Sequence, residues 1–274
     1  MRRFPIIATA VLMLVLVIPA FFADWIAPYG AYETHMSQRL KPPVFAGGTW
    51  EHILGTDKLG RDMLSRILHG SRYALAISAI GIAFGAVIGT LLGLFAGYFG
   101  GWRDTVIMRL VDISLALPSV LVALAIAASL GPSFQAVIII VVFVLWSQFA
   151  RQVRAAALSI RERDFVARSR VAGASNSRII RRHIFPNLAN TVVVMATLQI
   201  GVVIMLEATL SFLGVGVPRP TPAWGLLVSE GRELIVSAWW ISVFPGLAIL
   251  MTVISVNLFG DWLRDRLDPK LKEV

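Results

Sequence analysis

Apolar runs separated by short polar intervals set the plan of this chain. Predominantly apolar stretches cover Ile6–Phe22, about Ala74–Tyr98, about Leu110–Leu130, Phe134–Ala150, about Thr191–Leu213 and about Ala238–Leu258. At about 1.5 Å of rise per residue, each is long enough or nearly so to cross roughly 30 Å of hydrocarbon. The pattern predicts an all-α membrane protein with six transmembrane helices. Met1-Arg2-Arg3 ahead of the first run, with Ala20 and Ala23 near its end, also fits a signal peptide. Because more spans follow, a retained first helix opened by Pro5 is expected. Pro118 and Pro245 sit inside the third and sixth runs and are expected to kink them, which makes both candidate hinges. The chain is expected to divide at residue 72. Residues 1–72 hold the first helix and an external loop, and residues 73–274 form a five-helix core.

The polar intervals have their own punctuation. Ala23–Ser71 is the longest, and Pro42-Pro43 and Gly47-Gly48 mark it as loop, with Trp25 suited to the membrane interface. Gly100-Gly101-Trp102-Arg103 and Gly131-Pro132-Ser133 read as turns. Gly214–Ser237, with Pro218, Pro220 and Pro222, reads as loop with Trp224 beside the interface. In the second run Gly81, Gly85, Gly89, Gly93 and Gly97 recur at every fourth position. Small residues in that register let another backbone approach closely, either within the bundle or from a partner subunit.

Charge then fixes the orientation. The segment from Asp164 to Asn187 carries Arg168, Arg170, Arg178, Arg181 and Arg182, and it follows Arg161 and Arg163. Each arginine at a helix centre would cost roughly 2.5–3.5 kcal/mol, so the segment belongs in water. With six spans, 17 of the 25 Lys and Arg fall on the side of this loop and both termini, and 8 fall opposite. Lys and Arg gather in cytoplasmic loops, so the loop and both termini are expected in the cytoplasm. The same rule accounts for the formal charge of +9 without nucleic acid.

Little in the chain points to chemistry of its own. Cysteine is absent, and His35, His52, His69 and His183 show no metal-ligand spacing, so an intramembrane enzyme is disfavoured. Gly55 to Gly60 has the spacing of a phosphate loop, but Arg61 and Asp62 stand where Lys and Ser or Thr belong. Asp112 beside Arg109 reads as an interfacial ion pair. Gln199 and Glu207 lie in the fifth run, and Glu207, ionisable at membrane depth, is a candidate substrate-pathway residue or a structural hydrogen bonder. A stand-alone secondary transporter would show half-repeats and paired charges at mid-membrane, which the sequence lacks beyond Glu207.

Within the central loop, Phe165–Ala172 and Ser175–Ile184 read as two short helices around Gly173. Ser175 is placed to cap the second, and Pro186 to stop it short of the fifth span. Arg178, Arg181 and Arg182 project to one side, while Ile179, Ile180 and Ile184 can face the bundle. Such an arrangement is a stiff knob on the cytoplasmic face.

Here the sequence resembles a known family. Gly173–Asn187, GASNSRIIRRHIFPN, is similar to the signature loop of ABC-importer permease subunits. The motif's start falls at Ala167-Arg168-Ser169, and its eponymous glutamate is missing. GTDKLGRDMLSRILHGSR (55–72), Gly101–Ser119, Thr209–Gly225 and Gly260–Pro269 resemble the dipeptide/oligopeptide/nickel branch. The resemblance implies a type I importer bundle like that of the methionine permease, with cytoplasmic coupling helices in a loop spanning 151–187. It implies a multi-pass permease of the bacterial inner membrane, without catalysis or cofactor of its own. It further implies a second homologous permease, two ATPase subunits that bind ATP and Mg, and an extracytoplasmic substrate-binding protein. ATPase coupling would fall to Ala167, Arg168, Ser169, Gly173, Ala174, Arg178, Ile179, His183, Pro186 and Asn187. Peptide is the expected cargo, with nickel or another small chelate as the alternative.

Overall fold

In hydrocarbon an unbonded backbone amide or carbonyl is costly, so apolar runs of this length have helix as their economical form. The computed structural model describes residues 5–267, and nine α-helices are distinguished among the described residues. They are α1 (Ile6–Ile26), α2 (Met63–Phe99), α3 (Gly101–Ala116), α4 (Ser119–Leu130), α5 (Phe134–Arg161), α6 (Asp164–Val171), α7 (Asn176–Phe212), α8 (Trp224–Gly231) and α9 (Trp240–Leu267). Among the described residues, helices α1, α2, α5, α7 and α9 are long and apolar enough to cross a membrane, and the bent pair α3 and α4 brings the count to six when taken as one broken span.

That sixth span differs from the expected kinked helix. It begins at Gly101 and breaks at Leu117-Pro118, where the two halves meet at 90°. Proline has no N–H for the ladder and pushes the residue before it out of helical conformation. Leu117 is accordingly extended, with ψ 131°. Asp112 does not pair with Arg109. It accepts from Nη2 of Arg151 on α5 at 3.0 Å, and both side chains are largely exposed.

The glycine stripe has its partner within the chain. A Cβ on Gly81 would lie 2.4 Å from Cγ1 of Val141, and one on Gly93 would lie 2.4 Å from the Ala150 carbonyl. Gly85, Gly89 and Gly97 meet Leu145, Trp146 and Arg154 in the same way. Helix α2 therefore lies backbone to backbone along α5, and only a residue without a side chain fits between them.

Two boundaries move because polar residues are incorporated into helix. The second span starts at Met63 rather than Ala74, capped by Asp62, whose Oδ2 accepts the Ser65 N–H at 2.8 Å. Arg72, inside this extension, reaches α1, donating to the Ala20 carbonyl at 3.0 Å and pairing with Asp24 at 2.7 Å. Gly214–Ser237 is not all loop, since it contains α8. Trp224 is buried rather than interfacial, and its Nε1–H donates to the Ile67 carbonyl at 2.9 Å. Helix α9 runs through Pro245 to Leu267 and includes Arg264 and Arg266. Arg2, Arg3, Lys270 and Lys272 lie outside the described residues.

Candidate functional site

The basic loop folds as an elbow between α5 and α7. Helix α6 opens with Asp164 in its first turn, where a carboxylate suits the positive end of the helix dipole. It ends in a left-handed glycine. Gly173 has φ +77° and donates to the Arg170 carbonyl, while Ala174 donates to the Ser169 carbonyl, both at 3.0 Å. This pair of bonds closes the helix with a sharp reversal that needs positive φ. Ser175 then caps α7, its Oγ accepting the Arg178 N–H at 3.4 Å.

One side of the elbow is sealed into the bundle. Val166, Ile179, Ile184 and Leu188 are fully buried and cluster with Leu94, Tyr98, Val153 and Ile160. Polar ties add direction to this packing. Ser169 Oγ lies 3.1 Å from Nε2 of His183, joining α6 to α7, and the same hydroxyl donates to the Phe165 carbonyl. The Tyr98 hydroxyl, at the end of α2, donates to Oδ1 of Asn176 at 2.8 Å. Arg161 Nη1 caps the carbonyls of Gly97 and Tyr98. The other side is open: Ala167, Arg168, Gly173, Arg178, Arg181, Arg182, Pro186 and Asn187 are exposed, and Ala174 is half-buried. The candidate residues of the loop thus come together, with Ile179 inside the core and His183 half-buried.

The expected break between Ser175–Ile184 and the fifth span is absent. Residues 176–212 form one continuous span. Pro186 is accommodated by a widened turn over Ile180–Ile184, in which the Phe185 N–H reaches back five residues to the Ile180 carbonyl. Asn187 donates its side-chain amide to the His183 carbonyl at 2.6 Å, supplying a bond where proline disturbs the ladder.

Glu207 lies apart from the elbow, toward the other end of α7. It is 3% exposed, and its Oε1 accepts from the Ser211 hydroxyl at 2.6 Å.

Two arrangements escaped the sequence reading. On the far side from the elbow, Arg66 is fully buried, with Nη1 2.7 Å from Asp57 and 2.8 Å from Glu230 of α8. Arg61 pairs with the same Asp57 at 2.6 Å, and His52 Nδ1 meets Asp62 at 3.0 Å. This network ties the loop ahead of α2 to α8. The signal was available as four charges of both signs at positions 57, 61, 62 and 66 beside Gly55 and Gly60. The second arrangement is an amide pair inside the bundle, where Gln199 Nε2 donates to Gln148 Oε1 at 2.6 Å.

Comparison with known proteins agrees with this architecture. Residues 89–273 match the family described as binding-protein-dependent transport system inner membrane component. The dipeptide transport system permease protein DppC of Escherichia coli (strain K12) is 48% identical over 255 residues, covering 93% of this chain and 85% of that protein. The di/tripeptide transport system permease protein DppC of Pseudomonas aeruginosa is 44% identical over 261 residues, with 95% and 86% covered. The glutathione transport system permease protein GsiD of Escherichia coli is 43% identical over 271 residues, with 99% and 88% covered. Among solved structures, a chain of the inward-facing MetNI methionine ABC transporter superposes with a TM-score of 0.63. At 19% identity, over 75% of this chain and 98% of that one, the likeness is one of fold.

Proposed function

Because the chain belongs to the family of binding-protein-dependent transport system inner membrane components, we propose that it is the permease subunit through which an ATP-driven importer passes peptides. The relatives above are named for dipeptide, di/tripeptide and glutathione transport, and all of these cargoes are amides. That favours peptide over nickel. In this reading a second homologous permease completes the pathway and an extracytoplasmic binding protein delivers the cargo. Two ATPase subunits, carrying ATP and Mg, dock on the exposed side of the elbow. Both termini and the elbow then lie in the cytoplasm, as the excess of Lys and Arg on that side supports.

The observation that carries the proposal is the form of the elbow. An exposed face with Arg168 and Arg178 sits on a buried apolar base, clamped to α2 and continuous with a span of 37 residues. A loop that only anchored topology would need neither the core nor the clamps. An ATPase pressing on Ala167–Ala174 would move α7 as a body, with Gly173 setting the reversal and Ser169–His183 holding the two helices in register. Glu207, enclosed and bonded to Ser211, would act in the pathway by fixing the far end of α7.

The test is Gly173→Pro. Proline cannot reach φ +77° and cannot donate to Arg170, so the reversal is lost, while no heavy atom lies within 4 Å of the position to upset the core. The variant should reach the membrane and fail in peptide uptake and in peptide-stimulated ATP hydrolysis. Gly173→Asn, which tolerates the left-handed region, should keep most of both. Wild-type uptake by Gly173→Pro would refute the coupling role. Uptake by this chain alone in vesicles, without ATP, would instead identify a secondary transporter.

A further inference from the structure

At the break in the third span, where Leu117, Pro118, Ser119 and Val120 are exposed on the surface of this chain, helix-end backbone groups are left without backbone partners. Pro118 cannot donate to the Ser114 carbonyl, and among the described residues the Ser119 N–H makes no bond to the Leu115 carbonyl. The first backbone bonds of α4 are Leu121 and Val122 to the Pro118 carbonyl, and among the described residues the N–H groups of Ser119 and Val120 have no backbone partner. Helix ends always carry such groups, but in lipid surroundings each is costly unless something bonds to it.

These groups border a cavity of 390 Å³ between α3, α4, α5 and α7, lined by Ser114, Leu115, Pro118 and Ser119 on the broken span. Its size falls in the range of roughly 300–1,000 Å³ usual for small-molecule sites. Gln148, near the middle of α5, also lines it, and Val202 and Leu206 of α7 close the wall. Gln148 is held by Gln199, whose own Oε1 is buried and unbonded. Whichever way the two amides are turned, their single mutual bond leaves N–H and C=O groups over. The cavity thus offers donors and acceptors together, set among apolar walls and without a charged lining residue.

That combination selects a chemistry. A metal ion or chelate would call for carboxylate, imidazole or a concentrated charge, none of which lines this cavity. A peptide main chain presents the same alternation of N–H and C=O whatever its side chains are. Apolar walls accept varied side chains without specifying them. Resting on the peptide reading above, we infer that this cavity is a way-station that binds the main chain of the permeating peptide. Gln148, the Ser114 and Leu115 carbonyls and the Ser119 amide are its contacts.

The test uses the assembled transporter in proteoliposomes with its binding protein and radiolabelled alanylalanine. The chain has no cysteine, so Ser119→Cys gives it a single thiol. A maleimide should modify that thiol in the presence of ATP alone. Peptide supplied during turnover should slow the modification at least fivefold. Gln148→Leu, in complexes assembled to the normal level, should lower alanylalanine uptake about tenfold, the loss of one main-chain hydrogen bond of about 1.4 kcal/mol. Labelling that ignores peptide while uptake proceeds overturns the site and leaves the peptide reading intact, as does undiminished uptake by assembled Gln148→Leu. Should Gln148→Leu fail to assemble, the thiol experiment decides alone. A wild-type complex that takes up no alanylalanine overturns the peptide reading and this site with it.

Discussion

Gly89→Ala isolates the contact that holds the second and fourth spans together. The added methyl carbon would sit 2.4 Å from the Trp146 carbonyl oxygen and 2.5 Å from Cβ of Phe149. Carbon–carbon contact is comfortable at about 3.5–4.0 Å, so α2 and α5 must part by about 1 Å. Overpacking of this kind costs about 1–3 kcal/mol. Alanine recovers about 0.8–1.0 kcal/mol through its better helix propensity, which would blur a single measurement. Gly246→Ala supplies the matched control, because Gly246 lies inside α9 with no heavy atom within 4 Å of its would-be methyl. The propensity gain is common to both variants, and their difference reports the interhelical contact alone. At about 2–4 °C per kcal/mol, Gly89→Ala should unfold roughly 2–12 °C below Gly246→Ala. Tryptophan fluorescence of the purified protein in detergent, read against temperature, makes the comparison. Equal midpoints would refute the claim that close backbone approach, rather than apolar side-chain contact, joins these spans.

Two further substitutions probe the polar ties. Arg66→Met removes the buried guanidinium that bridges Asp57 and Glu230, leaving Arg61 to serve both carboxylates, and at about 1.5–3 kcal/mol for a lost charge-assisted bond it should reduce folded protein recovered from membranes. Ser169→Ala removes the only hydroxyl joining α6 to His183 among the described hydrogen bonds, at about 0.5–1.5 kcal/mol. It should leave membrane levels unchanged while raising the number of ATP molecules hydrolysed per peptide imported, as measured in proteoliposomes.

Hydropathy located the five long apolar helices, because a run of apolar residues in lipid has little choice but helix. It was weakest where polar residues are buried by partners far along the chain. The charges around Asp57 hint at a local network, but the burial of Arg66 depends on Glu230 of α8, which lies 164 positions away. The same blindness placed Trp224 at the interface, although its indole is buried against the turn around Ile67. Proline misled in both directions. At Pro118 a kink was expected and the helix breaks outright. At Pro186 a break was expected and the helix continues, because one widened turn and the Asn187 amide absorb the disturbance. The glycine register announced a close neighbour but not its identity, since four-residue spacing specifies a flat flank and nothing about what lies upon it. The elbow was legible as far as its glycine, its cap and its apolar stripe. Its fastening to Tyr98 and Arg161 depends on the end of α2 arriving beside it, which only the folded bundle determines.

The unbroken run from Asn176 to Phe212 has a geometric corollary. At about 1.5 Å per residue, a rod of this kind reaches roughly 55 Å, farther than the bilayer is thick. Pivoted near its lower end, it would magnify small displacements. A tilt of about 5° would sweep its upper tip sideways by roughly 5 Å, the pitch of one helical turn. Glu207 and Ser211 ride near that tip, so a nudge too slight to disturb the packing below would be enough to slide them sideways past the side chains they now touch.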